Sequence, residues 1–81
     1  MIIDRTDRFI KTFSKIKDSA IKKHVTKQIQ KIIAIPEIGK PMRYARKGTR
    51  ELYVSPFRIS YAYLKEENKI IFLDLYHKDK Q

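Results

Sequence analysis

A dense run of positive charge lies in the middle of this 81-residue chain. Five basic residues lie between Glu37 and Glu51 with no acidic residue among them: Lys40, Arg43, Arg46, Lys47 and Arg50. Lysine and arginine at this density neutralise the phosphates of a nucleic-acid backbone. Tyr44 and Tyr53 add rings on which a base could stack. We therefore predict that this segment binds nucleic acid, the alternative being a solvated basic loop.

The charge of the whole chain agrees with this prediction. Nineteen Lys and Arg residues against nine Asp and Glu residues give a formal net charge of +10. Such an excess on a small surface attracts polyanions or an acidic protein, with strong salt dependence. Surfaces rich in lysine also serve solubility alone, which is the competing explanation.

Few residues of the sequence are suited to metal or thiol chemistry. Cysteine is absent, which excludes disulfides, thiol nucleophiles and zinc–thiolate sites. Histidine occurs only at His24 and His77, too few for a closed metal site. We expect neither a metal nor another cofactor. His24 lies beside Val25 within a predicted helix and is expected to be structural or exposed.

Length and hydropathy bound the class of protein. A chain of this size suffices for one hydrophobic core, so residues 1–81 are predicted to form a single domain. No apolar stretch has the length of a signal peptide core or of a membrane span. We expect a cytoplasmic protein that does not enter a membrane, and the sequence leaves its oligomeric state open.

Two helices are predicted in the first half of the chain. The first covers residues 7–17, with Thr6 or Asp7 as its N-cap, because four apolar residues recur at helical spacing: Phe9, Ile10, Phe13 and Ile16. The second starts at Asp18 or Ser19 and extends to Ala34, because Pro36 stops it. Its apolar stripe is longer and consists of Ile21, Val25, Ile29, Ile32 and Ile33.

Three β-rich runs follow the helices, over Arg50–Val54, Phe57–Leu64 and residues 69–76, each bounded by turn residues. Short links between consecutive strands favour an antiparallel meander, and residues 1–3 could add an edge strand. The predicted order is βααβββ, an α+β fold with a helical hairpin packed on one face of an antiparallel sheet.

Four segments in this order resemble motifs of the RelE/ParE superfamily of toxins. Residues 35–43, IPEIGKPMR, resemble its P-x-x-G-K-P-L loop, and residues 47–54, KGTRELYV, resemble its K-G-x-R-E-L-R-V strand. Residues 57–63, FRISYAY, resemble its Y-R-I-V-Y-x-V strand, and residues 75–79, LYHKD, lie where many members carry x-x-H-R-K. With the two helices, the resemblance covers essentially the whole chain.

The resemblance implies a toxin of a type II toxin-antitoxin system, with an acidic antitoxin as partner. Many members cut messenger RNA, on the ribosome or free, without a metal: the ribose 2′-oxygen attacks the adjacent phosphate. Our leading prediction is this endoribonuclease activity. Two alternatives stay open: the ParE branch, which inhibits DNA gyrase and lacks a nuclease site, and an inactive member that only binds antitoxin.

Residue roles follow from the same resemblance. Arg58 matches the phosphate-binding arginine, His77 matches the acid/base histidine, and Arg46 and Lys47 stand nearest to the catalytic lysines. The alternatives are a solvated bystander at His77 and a simple salt bridge between Arg58 and a glutamate. Independently of the resemblance, Glu51 is a further candidate proton acceptor, or else an ordinary strand glutamate opposite a basic residue. The residues predicted to bind nucleic acid are Lys40, Arg43, Arg46, Lys47, Arg50, Tyr53, Tyr76 and Lys78, the last in place of the usual arginine.

One departure from the family pattern concerns an aromatic residue. Many nuclease members carry one a few positions after the histidine, and this sequence reaches Gln81 first. We expect Tyr76 or Tyr53 to take its place, or else the activity to be weak or lost.

Strand pairing predicts where Arg58 and His77 lie relative to each other. If Leu64 pairs with Lys69 and the hairpin is regular, Arg58 faces Leu75, and His77 lies two positions further along. Residues two apart on a strand share a face, so Arg58 and His77 would be diagonal neighbours roughly 7–8 Å apart and within reach of one phosphate. A loop of odd length would place them on opposite faces.

Overall fold

The computed structural model describes residues 1–80, apart from the side chains of Ala45 and Lys80. The helices and strands of this part follow in the order β1 (Ile2–Arg5), α1 (Asp7–Lys15), α2 (Ser19–Ala34), β2 (Lys40–Pro41), β3 (Arg50–Val54), β4 (Phe57–Leu64) and β5 (Lys69–His77). Short 3-10 turns cover Tyr44–Arg46, Lys65–Glu67 and Lys78–Lys80.

Side-chain caps define where the two helices begin. The Thr6 hydroxyl accepts a hydrogen bond from the Phe9 amide at 3.1 Å, and the Asp18 carboxylate accepts from Ala20 and Ile21. These caps satisfy amides that have no partner within the helix. The predicted extension of α1 to residue 17 is wrong, because the chain is already extended at Ile16, before the residue that caps α2.

The five strands form one sheet in the order β1-β5-β4-β3-β2. The predicted α+β fold with helices on a sheet is confirmed, but the sheet is mixed rather than antiparallel. Strand β1 runs parallel to β5, and the long connection that parallel neighbours require contains both helices and strands β2, β3 and β4. Strand β2 was not predicted; Lys40 pairs with Glu51 and Pro41 with Arg50 at the sheet edge, where proline is tolerated.

The core lies between the helices and one face of the sheet. Helix α1 packs against β5 and α2 against β3. The buried residues are Phe9, Val25, Ile32, Val54, Ile59, Tyr61, Ile70, Phe72 and Leu75. Phe13, Ile16, Ile21 and Ile29 pack against this core, as their helical spacing predicts, whereas Ile10 and Ile33 are exposed.

A bulge interrupts the β4–β5 hairpin. Leu64 pairs with Lys69 as predicted, and Tyr61 pairs with Phe72, but Ser60 pairs with Asp74, so Leu73 is the extra residue. A regular strand would turn Asp74 to the face that buries Ile70 and Phe72, which is unfavourable for a charge. The bulge instead buries Leu75. It coincides with the end of β1, where the Thr6 hydroxyl donates to the Leu73 carbonyl at 2.6 Å.

Candidate active site

The sheet face turned away from the core carries a row of functional side chains. Arg58, on β4, pairs with Tyr53 of β3 on one side and with Tyr76 of β5 on the other. Glu51 lies two residues before Tyr53 on the same strand and shares its face. Four side chains from three strands therefore meet on the open face of the sheet.

The predicted placement of His77 beside Arg58 is wrong. The bulge at Leu73 shifts the register by one residue, so Arg58 pairs with Tyr76, and His77 pairs with Phe57. His77 therefore lies on the opposite face from Arg58, at the end of β5. Its ring packs edge-on to Phe57 with centroids 5.9 Å apart, and its Nδ1 lies 3.6 Å from an Asp79 carboxylate oxygen.

Glu51 is the centre of the cluster on the open face. Its side chain is only 5% exposed, and its Oε2 accepts a hydrogen bond from Arg46 Nη1 at 3.1 Å. Arg58 Nη1 lies 3.7 Å from the other carboxylate oxygen, and the Tyr76 hydroxyl donates to Oε2. A buried carboxylate is tolerated only with such partners. We call Arg46, Glu51, Arg58 and Tyr76 the Glu51 cluster.

The cluster keeps the phenol of Tyr76 protonated. Burial raises its pKa above the ordinary value of 10.0, and the hydrogen bond to the negative Glu51 raises the pKa further. Arg46, whose Nη1 lies 3.2 Å from the Tyr76 hydroxyl, acts in the opposite direction but does not cancel these effects. Tyr76 is therefore protonated at neutral pH and donates a hydrogen bond to Glu51.

The two arginines of the cluster remain partly free to bind an anion. The Arg46 side chain is 47% exposed and extends from the 3-10 turn over Glu51. The Arg58 side chain is 36% exposed, and its Nε is a buried donor with no partner among the residues that the structure describes. Its guanidinium also lies 5.8 Å from the centre of the Tyr53 ring.

The basic segment predicted to bind nucleic acid divides into two parts. Arg50 has a structural position: its Nη1 donates to the carbonyls of Glu37 at 3.0 Å and Gly39 at 2.8 Å. The other members lie on strand β2 and on the loop between β2 and β3. Of these, Arg46 belongs to the Glu51 cluster. The remaining three are exposed: Lys40, Arg43 and Lys47.

A groove lies beside the cluster, at the edge formed by β3 and the loop before it. Its volume is about 690 Å³. Two tyrosines, three cations and one carboxylate line it: Tyr44, Tyr53, Lys40, Arg43, Arg58 and Glu51. Apolar side chains complete the lining: Ile38, Pro41, Met42 and Leu52. We call this cavity the tyrosine groove.

Tyr61 and Gly39 support the loop that borders the groove. The Tyr61 hydroxyl donates to the Pro36 carbonyl at 2.8 Å and accepts from the Gly39 amide at 2.8 Å. A Cβ at Gly39 would lie 2.5 Å from that hydroxyl oxygen. Sequence reasoning did not find this anchor, although the glycine before Lys40-Pro41 was a signal for close packing.

Sequence reasoning named Glu51 and Tyr76 but not their association. Twenty-five residues separate them, so no local pattern reveals the hydrogen bond that joins them. Lys78, predicted to bind nucleic acid, lies with its Nζ 5.7 Å from the centre of the Tyr53 ring. His24 is exposed on α2.

The described part of the chain contains no candidate metal site and no candidate membrane-spanning helix. Over residues 1–80, no group of three or more His, Asp or Glu side chains is arranged to hold a metal ion. None of the helices described above is long and apolar enough to cross a membrane.

Comparison with known proteins identifies a family and a shared fold. The family model of the ParE toxin of the type II toxin-antitoxin system, parDE, matches residues 3–81. No curated protein matches the sequence.

Solved structures of toxins resemble the fold closely at low sequence identity. The toxin-antitoxin complex RelBE2 from Mycobacterium tuberculosis matches with a TM-score of 0.81 at 20% identity, covering 95% of this chain and 96% of that one. The YoeB/ParE toxin from Agrobacterium tumefaciens matches with a TM-score of 0.83 at 12% identity, with coverages of 95% and 98%. The archaeal RelE–RelB complex from Pyrococcus horikoshii matches with a TM-score of 0.77 at 12% identity, with coverages of 99% and 97%.

Proposed function

Because this chain belongs to the ParE toxin family of type II toxin-antitoxin systems, we propose that it is an endoribonuclease that cuts messenger RNA, on the ribosome or free, and so inhibits translation. The observation that carries the proposal is the Glu51 cluster. It brings a proton acceptor, a proton donor and two arginines together on an open sheet face. Phosphoryl transfer without a metal needs these groups.

The proposed reaction starts when an RNA phosphate binds Arg58 and draws Arg46 away from Glu51. Movement of Arg46 uncovers the carboxylate, since Arg46 lies over it in the free protein. Glu51 then takes the proton of the ribose 2′-hydroxyl, and the 2′-oxygen forms a bond to phosphorus. The arginines stabilise the negative charge that builds on the phosphate.

Tyr76 completes the proposed proton transfer. As the bond between phosphorus and the 5′-oxygen breaks, the Tyr76 phenol gives its proton to that oxygen. The phenol recovers a proton from Glu51 through the hydrogen bond that joins them. The products are a 2′,3′-cyclic phosphate and a 5′-hydroxyl, and the enzyme returns to its starting state.

His77 and Lys47 have less direct support. The acid/base role of His77 stays a prediction of the family resemblance, and its position on the other sheet face keeps it out of the proposed steps. Lys47 is exposed on the loop that carries Arg46 and is proposed to hold the RNA backbone with Lys40 and Arg43.

The test is cleavage of messenger RNA by the purified protein, with and without translating ribosomes, in the presence of a chelator. We expect fragments that end in a 2′,3′-cyclic phosphate, and we expect Glu51→Gln to abolish them. Glu37→Gln is the matched control, because Glu37 is exposed and pairs with Arg50 outside the cluster. Cleavage that survives Glu51→Gln would contradict the assignment of the proton acceptor.

A second candidate function is inhibition of DNA gyrase by binding, and the match to the ParE toxin model favours it. A supercoiling assay with the same preparation separates the two functions. Loss of supercoiling without RNA cleavage would replace the nuclease proposal, and inactivity in both assays would indicate a member that only binds an antitoxin.

A further inference from the structure

The tyrosine groove adjoins the proposed reaction centre, because Arg58 and Glu51 belong to its lining. Its volume of about 690 Å³ lies within the range of about 300–1,000 Å³ in which small-molecule sites occur. A surface that only held phosphates would need cations alone. This groove combines cations with two tyrosine rings and apolar side chains, and its one carboxylate, Glu51, is engaged by the arginines of the cluster. The combination suits a flat, partly apolar group attached to a phosphate.

Tyr44 projects its ring from a strained part of the loop. Tyr44 is 92% exposed, so its ring contributes little to the folding of the free protein. Its backbone has φ of 59°, a left-handed conformation that is unfavourable for a residue with a large side chain. The turn is held by a hydrogen bond from the Lys47 amide to the Tyr44 carbonyl at 3.0 Å.

Tyr53 links the groove to the Glu51 cluster. Tyr53 is 49% exposed and lines the groove, while its neighbour across the sheet is Arg58. The Arg58 guanidinium lies 5.8 Å from the ring centre. A phosphate on Arg58 would therefore have one of its own flanking bases beside Tyr53.

We propose that the tyrosine groove binds the nucleobase next to the scissile phosphate, stacked on Tyr53 and covered by Tyr44. The groove would then set the nucleotide preference beside the cut. This inference rests on the proposed action on RNA. Charge supports the same occupant, since Lys40 and Arg43 border the groove and attract the backbone on either side of the bound base.

The test compares binding of two probes to the full chain at low salt. The first is a 2′-O-methyl oligoribonucleotide, which cannot be cut because its nucleophile is blocked, with 2-aminopurine at successive positions. The second is an abasic backbone of the same length. One stacked base should make the first probe bind about 5- to 150-fold more tightly than the second, and 2-aminopurine fluorescence should be quenched at one or two positions only.

Variants separate the base from the phosphate. Tyr53→Leu and Tyr44→Leu should each reduce the difference between the probes and the quenching, whereas Tyr53→Phe and Tyr44→Phe should restore both because the ring is kept. Arg58→Ala should weaken binding of both probes, because both carry the phosphate that Arg58 binds. Equal affinity of the unmutated protein for the two probes, or leucine variants that keep the full difference, would overturn the inference.

The outcome for the groove is distinguishable from the outcome for the nuclease. Cleavage of unmodified RNA without base-dependent binding would leave the nuclease proposal intact and remove the subsite. Base-dependent binding without cleavage would support the subsite and remove the nuclease proposal. Binding of neither probe would overturn the subsite and, with no cleavage, the RNA target as well.

Discussion

Arg58 is the residue on which both proposed ligand contacts meet. Its guanidinium lies between the Glu51 carboxylate, at 3.7 Å, and the Tyr53 ring, at 5.8 Å from the centroid. The first distance is longer than a hydrogen bond, so the pair leaves the guanidinium free to form charge-assisted hydrogen bonds to a phosphate. The same side chain thus joins the reacting phosphate to the base beside it.

We expect Arg58→Ala to lower RNA cleavage by about 10²–10³-fold, the usual cost of removing a group that stabilises charge in the transition state. His77→Ala should lower the cleavage rate by less than about 10²-fold, the smallest contribution usual for a positioned acid or base. The reason is that His77 lies on the other sheet face. Single-turnover cleavage rates measure both. Circular dichroism checks that each variant is folded, and a loss at His77 equal to that at Arg58 would restore the family histidine to the mechanism.

At the scale of elements, the loop between α2 and β2 depends on two contacts with β4. Tyr61 is fully buried and forms hydrogen bonds to both ends of the segment from Pro36 to Gly39. Arg50 adds hydrogen bonds to carbonyls of the same segment. This attachment positions the segment at which the lining of the tyrosine groove begins.

Gly39→Ala should destabilise the fold by about 1–3 kcal/mol, because the added Cβ would lie 2.5 Å from the Tyr61 hydroxyl oxygen in a packed region. Denaturant unfolding measures the change. Gly48→Ala is the comparison: its Cβ would meet no atom within 4 Å, but its φ of +97° costs strain. Its effect should follow backbone strain of about 1–2 kcal/mol and leave the groove unchanged. A neutral Gly39→Ala would contradict the anchoring role.

Tyr61→Phe should cost about 1–3 kcal/mol near neutral pH, since two buried backbone groups lose their partner. Tyr63→Phe is the control, because no side-chain hydrogen bond of the Tyr63 hydroxyl occurs among residues 1–80.

The same variant tests the pH dependence of stability. Burial raises the pKa of Tyr61 above 10.0 in the folded state. Its contribution is therefore complete below pH 10.0 and is lost as the pH rises through the higher folded-state pKa. The free energy of unfolding should fall less steeply above pH 10.0 in Tyr61→Phe than in the parent. Parallel curves would show that this phenol is not responsible.

For the whole molecule, the net charge of +10 should make RNA binding steeply dependent on salt. The double change Arg43→Gln with Lys47→Gln should reduce the slope of log K against log salt by about 1.4, the value for two charges on a single strand. Lys23→Gln with Lys27→Gln removes the same charge from an exposed part of α2 and should change the slope much less. Equal effects would mean that only net charge matters.

The proposed partner of the whole molecule is an acidic antitoxin. Opposite charge speeds the encounter, and binding to the folded state alone raises its stability. We expect co-expression of the neighbouring open reading frame to restore growth and the purified complex to unfold at a higher temperature than the toxin. A toxin that is harmless when expressed alone, with no acidic neighbour, would instead be an inactivated family member.

Local sequence determined helix α2, the start of α1, the meander and the basic segment. Apolar spacing and capping residues act within a few positions, so Ser19–Ala34 and Phe57–Leu64 were correctly predicted. The order of the motifs was sufficient to identify the family, because the resemblance covers essentially the whole chain. The direction of β1 was not predictable, since it depends on which strand, distant in the sequence, pairs with β1 at the edge of the sheet.

The tertiary structure alone decided the composition of the candidate site. Whether Arg58 meets His77 or Tyr76 depends on one extra residue, Leu73, and a shift of one residue reverses the face of every side chain beyond it. Glu51 is paired with Arg46, which reaches it from a separate loop. The sequence therefore determined which residues are available for chemistry, and the register and the loop, which depend on long-range packing, determined which of them meet.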